Sequence, residues 1–117
     1  MSTKIFTLNG SVPKSLNEIA REVVLDFATK NPSLTAHQIR DIFVSACKGI
    51  GVAHVVETAA QYHARSYQKS WKRSADEITI PSGDKLYVST QWHAKKPGDD
   101  FFRFRDVVHR NGWGKIV

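Results

Sequence analysis

SLNEIAREVVLDFATKNPSLTAHQIRDIFVSAC, residues Ser15 to Cys47, decides how the chain folds, because it reads as two amphipathic helices joined by a tight turn. Ser15 and Glu18 have the spacing in which a hydroxyl accepts from the N3 amide while the glutamate reaches back to the N-cap amide. Thr35 and Gln38 repeat the device, with glutamine as the third member. Between them, Asn31-Pro32-Ser33-Leu34 stops the first helix, since a residue before proline is pushed out of the α region. Leu16, Ile19, Ala20, Val23, Val24, Phe27 and Ala28 follow the helical apolar template, with Asn17, Glu18, Arg21, Glu22 and Asp26 on the wet side. Ile39, Ile42, Phe43 and Ala46 make a shorter stripe, and Gly49 is suited to end it.

Around this pair, 117 residues with 41% hydrophobic content supply one domain, residues 1–117, with a single core. No apolar run approaches the ~18 residues that span a bilayer, and the N-terminus lacks a hydrophobic signal core. A cytoplasmic protein is expected. The single cysteine, Cys47, has no internal disulfide partner and lies beside the apolar stripe, as a buried thiol does. The formal charge of +6 is uneven. Residues 1–61 hold six Lys/Arg against five Asp/Glu, and residues 62–117 hold eleven against six, so the second half carries +5. A basic half beside a near-neutral helical half points to a polyanionic partner.

Ahead of the helix pair, Lys4 to Leu8 has β character and ends at the turn dipeptide Asn9-Gly10, as an edge strand would. After it, Lys48 to Gly51 is a turn, and a third helix is expected from Val52 to about Lys72, with Val52, Val55, Val56, Ala59, Ala60, His63, Tyr67 and Trp71 on one broad face. Arg65, Lys69, Lys72 and Arg73 line another side at i, i+4, i+7 and i+8, and no acid falls between Tyr62 and Arg73. Cations at this spacing suit phosphates, and Tyr62, Tyr67 and Trp71 beside them are candidates for stacking on bases or sugars. Ile78 to Ile80 and Leu86 to Trp92 flank Pro81-Ser82-Gly83-Asp84 as a hairpin. A cationic loop with Lys95 and Lys96 follows. Asp99 or Asp100 then starts a last helix that buries Phe101, Phe104 and Val108, turns Arg103 and Arg110 outward and stops at Asn111-Gly112. Trp113 to Val117 is expected as a final strand pairing with the hairpin.

The order of helix, Asn31-Pro32-Ser33-Leu34-Thr35 turn, helix with Ile39, longer helix and Ile78 to Trp92 hairpin resembles the winged helix-turn-helix class of DNA-binding domains over residues 15–92. The resemblance implies an α+β fold with a helix-turn-helix core, a basic third helix, a wing-like hairpin and a C-terminal helix packed on a small antiparallel sheet. It also implies a protein of transcription regulation whose third helix enters the major groove. Here the start of that helix, Val52 to Thr58, is apolar and includes Glu57, so contact with the phosphate backbone is expected ahead of base readout. The expected nucleic-acid-binding residues are Arg65, Lys69, Lys72, Arg73, Lys95, Lys96, Arg103 and Arg110, with duplex DNA the preferred partner.

Catalysis is not expected. Five histidines and one cysteine form no metal-ligand spacing, His54 and His63 being nine apart. A metal-assisted nuclease built on Asp76, Glu77, Asp84, Asp99 or Asp100 with Lys85, Lys95 or Lys96 lacks a recognisable set, and no cofactor or metal is expected. The competing expectation is a small interaction module, an inhibitor or adaptor whose basic surface docks an acidic protein. Exposure of Trp71, Trp92 or Trp113 in an apolar patch would favour it.

Overall fold

In the computed structural model, which describes residues 6–50, 55–65, 75–90 and 92–117, Leu16–Lys30 forms α1 and Ala36–Ala46 forms α2. Both start on the reciprocal bonds expected of them. Ser15 N–H donates to Glu18 Oε1 at 2.9 Å, and Thr35 N–H donates to Gln38 Oε1 at 2.9 Å. Ile19, Ala20, Val23, Val24 and Ala28 of α1 and Ile39 and Phe43 of α2 are fully buried, so the two stripes form one side of the core. Phe27 of α1 meets Phe43 of α2 edge to face with ring centroids 5.3 Å apart. Gly49 adopts φ +91, a conformation that L side chains avoid, where the chain leaves α2.

The remaining elements are β1 (Val56–Thr58), α3 (Ala59–Arg65), β2 (Ala75–Thr79), β3 (Lys85–Ser89) and α4 (Asp100–Arg110). The fold is α+β: helices, a three-stranded antiparallel sheet of order β1-β3-β2, and a C-terminal helix. Register puts Thr58, Leu86 and Ile78 in one row and Val56, Val88 and Asp76 in another. Those rows share the core-facing side, where Val56, Leu86, Val88 and Ile78 are buried and α1 packs. The row between them, Glu57, Tyr87 and Glu77, faces the other way. α4 reaches the body through aromatic contacts. Phe101 lies 5.0 Å from Phe6, and Phe104 lies 4.8 Å from Trp92. Burying a side chain of this kind stabilises the fold by roughly 1.5–3 kcal/mol.

Several expectations are corrected. The third helix does not begin at Val52: Val56, Glu57 and Thr58 are a strand, because β-branched valines pack on a pleated surface and Val56 covers Val88 at the edge of β3. The helix starts after Thr58, where Thr58 N–H donates to Gln61 Oε1 at 3.1 Å and Gln61 N–H donates to Thr58 Oγ1 at 3.2 Å. Residues 66–74, which hold Lys69, Trp71, Lys72 and Arg73, lie outside the described residues, as do 51–54 with His54. Trp113 to Val117 does not join the hairpin. Ile116 bridges Leu8 instead, and Thr7 and Val117 exchange backbone bonds of 2.9 and 3.0 Å, so β1 supplies the third strand. β3 ends at Ser89, short of the expected Trp92, because the Trp92 indole turns back to donate to the Ser89 carbonyl at 2.7 Å. The hairpin tip is tied to the body as well. Asp84 Oδ2 accepts from Ala36 N–H at 3.3 Å, bringing a carboxylate to the start of a helix whose first turn has no acid of its own.

Candidate nucleic-acid interface

The eight residues singled out by the sequence fall into three groups. Lys69, Lys72 and Arg73 lie outside the described residues, and Arg65 is the last residue of α3. Lys95 and Lys96 are exposed in the loop before α4. That loop closes on Asp99, whose Oδ2 accepts from the backbone N–H of Lys95 at 2.7 Å and of Lys96 at 3.0 Å. These bonds, Lys96 first, hold the Asp99 carboxyl below its ordinary range. Asp100 folds the other side of the loop by accepting from His93 N–H at 2.7 Å. The acidic pair therefore shapes a loop that turns two lysine side chains to solvent.

Arg103 and Arg110 are exposed on α4, seven residues apart and hence on one face, about 10 Å from each other along the axis. The structure brings them to an open cleft of about 280 Å³ between α4 and the end of α2, lined also by Lys48, Gly49, Ile50 and Asp106. Arg103 Nη1 donates to the Gly49 carbonyl at 3.0 Å, joining the two elements. This gives a cation to the end of α2, whose last turn has no basic residue. Lys48 was not among the sequence candidates. It follows Cys47 in a turn, and no local pattern places it opposite two arginines of a helix more than fifty residues further on.

The outer face of the sheet carries a second polar group. Tyr62 of α3 stacks on Tyr87 with centroids 4.2 Å apart and planes 1° from parallel, so its ring is engaged within the protein. Tyr87 Oη donates to Glu77 Oε2 at 2.6 Å, and Lys85 Nζ lies 3.6 Å from Glu77 Oε1. The tyrosine bond, with Lys85 behind it, pulls the Glu77 carboxyl below its usual range, and the same bond pushes the Tyr87 phenol up. Trp92 is buried, and Trp113 packs 4.5 Å from Phe43 and 5.5 Å from Phe27. Among the described residues no three His, Cys, Asp or Glu side chains converge as metal ligands, and no helix is long and apolar enough to cross a membrane. No family model, curated protein or solved structure matches the chain.

Proposed function

We propose that this protein binds nucleic acid, duplex DNA in preference, through its phosphate backbone and without chemistry. The observation that carries the reading is a separation between paired and unpaired cations. Lys14, Arg21, Lys30, Arg40 and Lys85 each pair with a carboxylate, and all lie on α1, α2, their flanks or the hairpin. Among the described residues, Lys48, Lys95, Lys96, Arg103, Arg105, Arg110 and Lys115 have no carboxylate partner, and six of these seven lie on or beside α4 in sequence. Asp99, Asp100 and Asp106 share this stretch and Asp99 feels the Lys96 charge, but cations held in no ion pair can still displace the counterions condensed on a phosphate chain. Arg65, Lys69, Lys72 and Arg73 extend the basic content of the same half of the chain.

The finer form of this reading is a winged helix-turn-helix arrangement. In it α3 contacts the duplex, the β2–β3 hairpin lies against the neighbouring backbone, and the role served is transcription regulation in the cytoplasm. The succession of α2, α3 and a hairpin supports it, while the Asp84 bond to α2 limits how far the hairpin tip reaches outward. The alternative, an adaptor docking an acidic protein, draws on the same cations but gains no exposed aromatic anchor from Trp92 or Trp113. An electrophoretic shift against unrelated duplexes and single strands tests the proposal. Reversing Arg65, Lys69, Lys72 and Arg73 to glutamate is expected to weaken binding to all duplexes alike. Absence of any shift for the unaltered protein at low salt would reject nucleic-acid binding.

A further inference from the structure

We infer that the cleft between the end of α2 and α4 is a seat for one phosphate group, held by Lys48, Arg103 and Arg110. Arg103 and Arg110 line it from one helix face and Lys48 from the facing turn. With Asp106 as the one acid among the lining residues, the cleft carries a formal charge of +2. A simpler role for these cations is to offset the carbonyl end of α2. Arg103 already stands at that end through its bond to the Gly49 carbonyl in the turn just past α2, and the bond fixes the guanidinium while its other N–H groups stay available. Lys48 and Arg110 are exposed, and neither has a carboxylate partner among the described residues. They are surplus to the helix end.

The size of the cleft narrows the ligand. About 280 Å³ lies just under the range of pockets that enclose a drug-sized molecule, and it suits a phosphate with part of its sugar. A guanidinium held in place by the protein offers paired N–H groups to two phosphate oxygens, which a freely rotating lysine does not. The chemistry is that of a phosphate oxyanion, supplied either by an internal phosphodiester of a duplex or by a terminal phosphate monoester. Only the first source rests on the nucleic-acid reading above.

The test pairs Lys48→Gln with Arg110→Gln, both at exposed positions, and measures duplex affinity against salt for the double variant and the unaltered protein. Amide shifts of residues 48–50 and 103–110 are followed by NMR during titration with inorganic phosphate, and with 5′-phosphorylated and unphosphorylated duplex. A log–log salt slope shallower by up to about 0.9 in the double variant is the expected result, the share of the one phosphate contact that the seat makes. Asp106→Asn, which removes the one acid among the lining residues, is expected to tighten binding by about a few fold, the order of one nearby charge in water. Duplex binding with an unchanged slope and unmoved amides overturns the seat and leaves the nucleic-acid reading intact. Amide shifts with phosphate but no duplex binding keep the seat, assign it to a monoester, and end the nucleic-acid reading. Neither response overturns both.

Discussion

Cys47, Glu77 and Tyr87 tie this fold to pH. Cys47 is 5% exposed at the end of α2, and burial pushes its thiol up to about 12 from an ordinary 9.0. The unfolded chain therefore ionises first, so stability falls as the pH rises from about 9 toward 12 and is unaffected below it. At pH 8 a thiol-reactive dye is expected to leave folded protein unmodified and to react at once in denaturant. Fast labelling without denaturant would show the thiol to be accessible. The bond between Tyr87 and Glu77 acts at both ends of the scale. Glu77 is held below 4.5, so its share of stability is present above that value and is lost as pH falls through the depressed pKa. Tyr87 is raised above 10.0, so its share is present below that value and is lost as pH rises. Tyr87→Phe is expected to move the Glu77 titration upward, read from its carboxyl carbon by NMR. A titration that stays put would assign the shift to the Lys85 and His63 charges.

At the scale of the element, helix starts are the most legible features of this sequence. Ser15 with Glu18, Thr35 with Gln38 and Thr58 with Gln61 all make reciprocal side-chain and backbone bonds. The third pair had the same spacing as the second and marks the beginning of α3, so Val56 to Thr58 were readable as lying outside that helix. Valines at 55 and 56 fit a helical face and a strand equally well over so short a run, and only the free edge of β3 decides between them. Ser15→Ala is expected to cost about 1 kcal/mol in urea unfolding, with the slope of the transition unchanged. A cost near zero would mean that packing of the Ile19 and Val23 face alone holds the first turn of α1.

Across the whole molecule, closure comes from residues far apart in sequence. Leu8 bridges Ile116, and Ile116 N–H donates to His109 Nε2 at 2.9 Å, so the end of the chain is fastened to both its beginning and α4. Trp113 stands behind this seam against Phe27 and Phe43. Trp113→Ala is expected to lower unfolding free energy by about 3 kcal/mol, a large part of the ~5–15 kcal/mol that holds a domain of this size. A loss under 1 kcal/mol would show that the seam is not needed for stability. Charge is also distributed at this scale. Among the described residues, the cations in ion pairs lie on α1, α2, their flanks and the hairpin, and six of the seven outside ion pairs lie on or next to α4 in sequence. Binding of duplex DNA is therefore expected to weaken steeply between 50 and 200 mM salt, by about a hundredfold or more if several of these cations meet phosphates. A flat salt profile in fluorescence anisotropy would assign any binding to contacts other than these.

What the chain settles by itself is local. Amphipathic spacing, capping pairs and the Pro81 to Asp84 turn dictate where α1, α2, α4 and the hairpin form, because each depends on residues a few positions apart. Burial of Phe101, Phe104 and Val108 follows from the same spacing. Tertiary structure decided which strand completes the sheet, where the terminal segments pair, and that Lys48 meets Arg103 and Arg110 across a cleft. Those outcomes depend on contacts between residues tens of positions apart. Neither periodicity nor composition encodes them, since the partner that satisfies an edge or a charge is selected only when the core brings it near.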